Sequence, residues 1–445
     1  MLLEFRCDNF KSFKDGFVFP MQPRKGMNDL QYSILHRNIG DSIVNALSSS
    51  VVYGPNAAGK TSVVNAMSCM RKIVLSGTIR NAEEDRNNDH VSANMELAPF
   101  AFRDEGKSVT FDITFVQSGK KIRYAFSFFV GAFLEAKKDR YVEKEKLYLN
   151  DSLIYSRTED SVESLNLDPI KEYLNIGYEL KEIDKTKMAM SNNLVKDNLL
   201  LNTDFNSFCS KAIVNEIISW FTDCFIVVNS SNRTRFLPGI PEDEGQAIIS
   251  DYLNRIAQEA GIIGSDFAYI MDPESHSTKL MSVLKKENQM LSGIDSDKIE
   301  SVGTLRLISI MPVIIIALKK GATLVMDELD ASLHPMIVMN LISLFHNDEV
   351  NKNGAQLIFN THNPIYLNRK LMRRDEIKFV ERNKETKSSV LYSLSDFKAN
   401  GECSVRKTSD YMKNYFINRY GAIENIDFTD IIEEVINGSE NNEGI

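Results

Sequence analysis

The sequence predicts an α/β fold whose mixed sheet is assembled from both ends of the chain, with a β-rich first lobe and an inserted helical lobe. Three observations carry this. A short apolar strand, Val51–Tyr53, runs into a glycine-punctuated loop and then into a helix-periodic stretch. Two alternating segments separated by a turn occupy the region around 109–130. After residue 320 apolar strands alternate with helical stretches, the order expected of a parallel sheet.

Taken in chain order, Met1–Phe5 reads as a strand that turns through Asn9-Phe10-Lys11-Ser12-Phe13 into a second one. From Lys60, Val63, Val64, Met67, Met70 and Val74 recur at three- and four-residue steps, which predicts a helix. Val109, Phe111, Ile113 and Phe115 alternate with polar residues, as do Ile122, Tyr124, Phe126 and Phe128, and Gln117-Ser118-Gly119-Lys120 between them predicts a hairpin. Residues 165 to 300 read mainly as helices, with polar joins such as Asp272-Pro273-Glu274-Ser275 and no sustained heptads. Strands return at Thr323–Met326, Leu357–Asn360, Ile377–Val380 and Val390–Leu394, and the polar, acidic end from Asn437 reads as frayed. The expected division is 1–160 for the first part of the head, 161–299 for the helical insertion and 300–445 for the second part.

Bulk properties narrow the class. The 445 residues are 43% hydrophobic and 25% charged, ordinary for a well-buried chain. A net charge of −9 argues against coating nucleic acid through an overall field. Arg71–Lys72, Lys120–Lys121, Lys137–Lys138 and Arg373–Arg374 read as ordinary solvated pairs. Five scattered cysteines, Cys7, Cys69, Cys209, Cys224 and Cys403, show no metal-type spacing and suit a reducing compartment. No signal peptide is evident, and the apolar run Ile308–Leu318 is too short to cross a bilayer of about 30 Å, so a cytoplasmic chain away from the membrane is expected.

Gly54-Pro55-Asn56-Ala57-Ala58-Gly59-Lys60-Thr61 fits G-x-x-x-x-G-K-[ST] completely. Such a loop curls tightly enough for successive N–H groups to face phosphate oxygens, and the helix behind it adds its positive dipole end. Lys60 would reach the β- and γ-phosphates of ATP, and the Thr61 hydroxyl would ligate Mg²⁺. Ser62, next on the helix, and Lys11 and Ser12, in the first turn, complete this set of candidate nucleotide contacts.

Leu324-Val325-Met326-Asp327-Glu328 is an apolar strand ending in two carboxylates. Asp327 would hold the magnesium through water and Glu328 would act as general base on the attacking water. The next segment, Leu329-Asp330-Ala331-Ser332-Leu333-His334-Pro335, can carry Asp330 to a second subunit's site; the competing roles are a helix N-cap for Asp330 and a surface turn for His334. His362, in Phe359-Asn360-Thr361-His362-Asn363-Pro364, follows an apolar strand where a switch histidine would sense the γ-phosphate. Glu300-Ser301-Val302-Gly303-Thr304 precedes an apolar helix, and Ser301 with the N–H groups near Gly303 could bind a γ-phosphate across a dimer interface.

The order of these five segments, and the wide gap between Lys60 and Asp327, resemble the ABC-class ATPases that include RecF, the SMC and double-strand-break repair proteins and the OLD-type ATPases. Asn9-Phe10-Lys11-Ser12-Phe13, the P-loop and Asp327-Glu328-Leu329-Asp330-Ala331-Ser332-Leu333-His334-Pro335 look like bacterial abortive-infection ATPases of the AbiL-like and RloA-like type. Arg374-Asp375-Glu376-Ile377, Leu391-Tyr392-Ser393-Leu394-Ser395-Asp396-Phe397 and Arg419-Tyr420-Gly421-Ala422-Ile423 are similar to that group's C-terminal pattern.

That resemblance implies an ABC-type P-loop head, ATP and Mg²⁺ as cofactors, and a homodimer or higher oligomer that sandwiches ATP. It also implies a role in anti-phage defence beside a TOPRIM-type nuclease or toxin acting in trans. Two other readings compete: a RecF-like repair ATPase with nucleic acid as partner, and a nucleotide-sensing scaffold with little turnover. The Q-loop glutamine of ABC ATPases has no counterpart in the first lobe beyond Gln117, in the hairpin turn.

Overall fold

The computed structural model describes residues 1–80, 97–103, 105–131, 140–175, 182–229, 247–249, 251–271, 278–285, 291–397, 405, 408–424 and 426–438. Its centre is a six-stranded sheet made from three separate stretches of sequence. In spatial order the strands are β11 (Phe225–Val228), β16 (Thr323–Met326), β17 (Gln356–Asn360), β5 (Ser49–Tyr53), β18 (Ile377–Arg382) and β19 (Ser389–Ser393). All neighbours are parallel except the antiparallel edge strand β19.

Every residue of β5, β16 and β17 is buried, as a parallel sheet covered on both faces requires. The alternation of side chains sorts the two cores. Val52, Val325, Ile358 and Val380 point into one core, which contains α1 (Lys60–Ser76). Val51, Tyr53, Leu324, Met326, Leu357, Phe359, Ile377 and Phe379 point into the other, with α5 (Val302–Lys320) and α6 (Pro335–His346). α5 is apolar and long enough to cross a membrane, yet Leu307, Ile308, Ile310, Ile314 and Ala317 are buried in this second core.

A seven-stranded antiparallel sheet covers the first core. Its order is β10 (Val162–Leu165), β9 (Ser152–Thr158), β8 (Tyr141–Leu149), β7 (Lys120–Phe129), β6 (Val109–Gln117), β1 (Leu2–Asp8) and β2 (Phe17–Pro20). The expected hairpin is β6 and β7, with Gln117 paired to Lys120 at its turn. A separate hairpin, β3 (Ile34–Ile39) and β4 (Ser42–Leu47), leads into β5. Gln356 ties the N-terminus to the central sheet: its amide oxygen accepts from Leu2 N and Thr323 Oγ1, and its Nε2 donates to the carbonyls of Leu2 and Leu47. That is how the two ends of the sequence become one head.

The middle segment differs in part from the helical expectation. It holds α2 (Ile183–Asn192), α3 (Lys211–Ser219) and α4 (Asp251–Glu259), but also β11, which joins the central sheet beside β16. It further contains a four-stranded antiparallel meander of β12 (Ala247–Ile249), β13 (Asp266–Met271), β14 (Thr278–Lys285) and β15 (Leu291–Asp295). The insertion is therefore α/β and partly integral to the head. Trp220 fastens it, stacked between Phe115 of β6 at 3.9 Å and Phe225 of β11 at 5.0 Å. The chain closes with α7 (Tyr411–Phe416), which packs on the second core, and α8 (Thr429–Gly438). The join at 272–275, Lys137–Lys138 and Cys403 lie outside the described residues; Cys7, Cys69, Cys209 and Cys224 are not in disulfides.

Candidate functional site

The carboxyl ends of β5, β16 and β17 deliver their loops to one place, a cleft of about 400 Å³. It is lined by Ser12, Asn56, Ala57, Gly59, Lys60, Thr61, Ser62, Glu328, Asn360, His362 and Arg382. Segments about 300 residues apart in sequence thus meet at the point where open α/β sheets bind ligands.

The loop after β5 turns because Gly59 takes φ 111°, and a side chain there would collide with Ser12 Oγ and Ser389 Oγ. Gly54 is equally constrained, since a Cβ would run into the carbonyl of Val380. Ala58 is buried, with its carbonyl accepting from Ser389 Oγ at 2.6 Å. Lys60 begins α1 and folds back, donating to the carbonyls of Gly54 at 2.8 Å and Pro55 at 2.9 Å. Burial lowers its ammonium to about 8, against the opposing pull of Glu328 and Asp327. Gly54, Pro55 and Ala58 thus shape the loop and hold Lys60 rather than line the cleft.

Across the cleft, Asp327 is buried at the end of β16 and its Oδ1 accepts from Thr61 Oγ1 at 3.2 Å. The two oxygens form a hard donor pair suited to Mg²⁺, which takes few protein ligands and keeps several waters. Glu328 follows with φ 49°, a left-handed backbone uncommon outside glycine and typical of strained functional sites. Asn360 holds that conformation: its Oδ1 accepts from Glu328 N at 2.6 Å while its Nδ2 donates to Asp327 Oδ1. Arg306, on α5, donates to the Glu328 carbonyl at 3.3 Å. His362 lies at the cleft edge, its imidazole pushed below the usual range by burial first and Lys60 second.

Four candidate contact residues lie outside this chain's own cleft. Lys11 is absent from the cleft lining, although Ser12 beside it reaches Ser62 Oγ at 3.2 Å. Asp330 accepts from Thr361 Oγ1 at 2.7 Å, which ties its loop to the histidine loop of the same chain. Ser301 caps its own helix, accepting from Thr304 N at 3.1 Å, and is exposed outside the cleft. Gly303 is packed against the Asp330 loop, where a Cβ would approach the Ser332 carbonyl to 2.6 Å. His334 is exposed and caps α6, its Nδ1 accepting from Met336 N at 3.3 Å, where the structural alternative weighed for it was a surface turn.

Asn360 and Arg382 line the cleft without having been singled out in the sequence. Asn360 carried a weak signal, a lone amide closing an otherwise apolar strand. Arg382 carried none; β18 brings it beside the P-loop, where it donates to Ala57 O at 3.4 Å. No glutamine is found among the described residues lining the cleft.

A family profile described as "AAA domain, putative AbiEii toxin, Type IV TA system" matches residues 49–174 and 263–368, just over half of the chain. The chain belongs to this AAA-domain family. The two matched segments carry the P-loop, Asp327, Glu328 and His362, while Ser12 and Arg382 of the cleft lie outside them. No curated protein matches the chain. Among solved structures it is similar to the SMC head domain from Thermotoga maritima, at 14% identity over 88% of this chain and 98% of that one, with a TM-score of 0.35. It is also similar to an SmcHead bound to the C-winged helix domain of ScpA, at 14% identity over 88% and 97%, TM-score 0.39. A third is an Smc head domain with an extended coiled coil, bound to the C-terminal domain of ScpA derived from Pyrococcus furiosus, at 13% identity over 88% and 96%, TM-score 0.34.

Proposed function

We propose that this AAA-family chain binds and hydrolyses ATP and uses the cycle to open and close a dimer. The convergence of Lys60, Thr61, Glu328 and His362 on one cleft, with Asp327 bonded to Thr61, carries this reading. The P-loop amides and Lys60 take the phosphates, the ammonium exchanging its two carbonyl partners for phosphate oxygens. Thr61 and Asp327 would hold Mg²⁺, which would supply charge neutralisation at the phosphates. Glu328, with its backbone held by Asn360, takes the proton of the water that attacks the γ-phosphate. His362, kept neutral, donates a hydrogen bond to the γ-phosphate and releases its loop when that group leaves.

Supporting a shared site, Ser301 and the start of α5 are exposed and outside their own chain's cleft, free to meet the γ-phosphate of a second copy. The Asp330–Thr361 bond gives that partner-facing edge a mechanical link to the histidine loop. Glu328→Gln should hold an ATP-bound dimer through sedimentation, whereas Lys60→Ala should remain unaffected by ATP. Identical sedimentation of both variants with and without ATP would remove the clamp. The defence role, with a toxic effector controlled in trans, draws on the abortive-infection resemblance and the family's description. Co-purification of a nuclease or toxin encoded beside this chain, released by Lys60→Ala, tests it.

A further inference from the structure

The last helix, α8, displays an apolar stripe to solvent. Phe428, Ile431, Ile432 and Val435 fall at three- and four-residue steps and are 65%, 59%, 52% and 56% exposed. Its other face carries Asp430, Glu433 and Glu434, with no basic residue in the helix. A stripe of this kind is the usual mark of a helix that docks in a groove.

The same chain has such a groove. Between α4, α5 and α6 lies a depression of about 1110 Å³, larger than the roughly 300–1,000 Å³ of ordinary ligand pockets. Met311, Ile315 and Ile337 form its floor, while Arg255 and Lys319 stand on its rim with a single acid, Glu259. Floor and rim therefore complement both faces of α8, apolar to apolar and basic to acidic. In the single chain α8 is outside this groove: none of its residues is among those lining it.

We infer that α8 of one copy seats in the α4–α5–α6 groove of a second copy. Reciprocal exchange of identical elements closes a two-fold dimer without leaving either stripe in water. This contact uses no residue of the nucleotide cleft, so it tethers the two chains whether or not ATP is bound. The ATP clamp closes the heads within that tethered pair, read as faster sedimentation of the same dimer.

The test uses the full chain without nucleotide, in a Lys60→Ala background that silences the clamp. Sedimentation should give a dimer whose dissociation constant rises at least tenfold in Ile431→Glu/Val435→Glu and separately in Met336→Glu. Residues 431, 435 and 336 are more than half exposed, so unchanged thermal midpoints would show that these variants fold. Lys319→Glu should weaken the dimer, and Glu433→Lys/Glu434→Lys should restore it. With Val435→Cys on one tagged copy and Met336→Cys on another of different mass, oxidation should join the two chains. A link formed only within one chain would overturn the exchange, as would a Lys60→Ala protein that sediments as a monomer at 100-fold dilution and undiluted alike. Failure of the ATP clamp would leave this outcome unchanged.

Discussion

Two clusters of buried charge in this molecule are built on opposite principles. In the antiparallel sheet, Glu145 is completely buried and its carboxylate is saturated. Oε1 accepts from Tyr124 OH, Tyr155 OH and Leu201 N, and Oε2 accepts from Leu200 N and pairs with Arg157 at 3.2 Å. In the nucleotide cleft, Lys60 is also withdrawn from water but keeps valence to spare. Among the described residues Lys60 donates only to two carbonyls, and desolvation has lowered its proton affinity. A saturated charge fastens structure, here the sheet to the 200–201 backbone. An unsaturated one stores binding capacity for a ligand that supplies the missing partner.

The sharpest way to break this comparison is to remove the structural charge. Glu145→Ala should cost about 3–5 kcal/mol in urea unfolding, since it strands Arg157 and two backbone N–H groups in the interior. Glu328→Gln should reverse that pattern, leaving the unfolding midpoint unchanged while ATP turnover falls by about 10²-fold or more. A midpoint shift as large as that of Glu145→Ala would place Glu328 among the structural charges.

Asn360→Ala should fall between the two, because this side chain both satisfies Asp327 and holds Glu328. We expect a loss of about 1–3 kcal/mol of stability together with a turnover defect, measured on the same preparation. The smallest expected effect is with pH. Because the Lys60 proton affinity is depressed from 10.5 to about 8, the folded chain loses this proton first, and its contribution to stability rises as pH climbs from about 8 to 10.5. ATP needs the charged form, so affinity should weaken several-fold between pH 8 and 9.5, and Lys60→Arg should flatten that dependence. Lys378, buried and also near 8, adds to the stability trend with the same sign, which makes ATP affinity the discriminating readout.

Legibility in the sequence followed the locality of the interactions. The strands β5, β16, β17, β18 and β19 and the β6–β7 hairpin could be placed from apolar runs and alternation, because each is fully buried or half-buried along its length. β11 could not. Phe225–Val228 follows the helical stretch made by α3 and Trp220–Cys224, and only its pairing with Thr323–Met326 makes it a strand. The β12–β15 meander was hidden for a related reason: Thr278–Lys285 is stabilised by its neighbours on both sides, and its mixed polarity has no clean period.

By itself, then, the sequence determined the chemistry at the loops. Glycines at 54 and 59 are needed where the backbone meets Val380, Ser12 and Ser389, and adjacent acids at 327 and 328 sit where an apolar strand ends. Only the tertiary structure decided which side chains face the cleft. Ser12 does and Lys11 does not, Asp330 bonds to Thr361, and Asn360 and Arg382 arrive unannounced. Backbone demands are written within a few residues and can be read there. The direction of a side chain is set by what packs against it from elsewhere in the chain, and here that partner often lies 300 residues away.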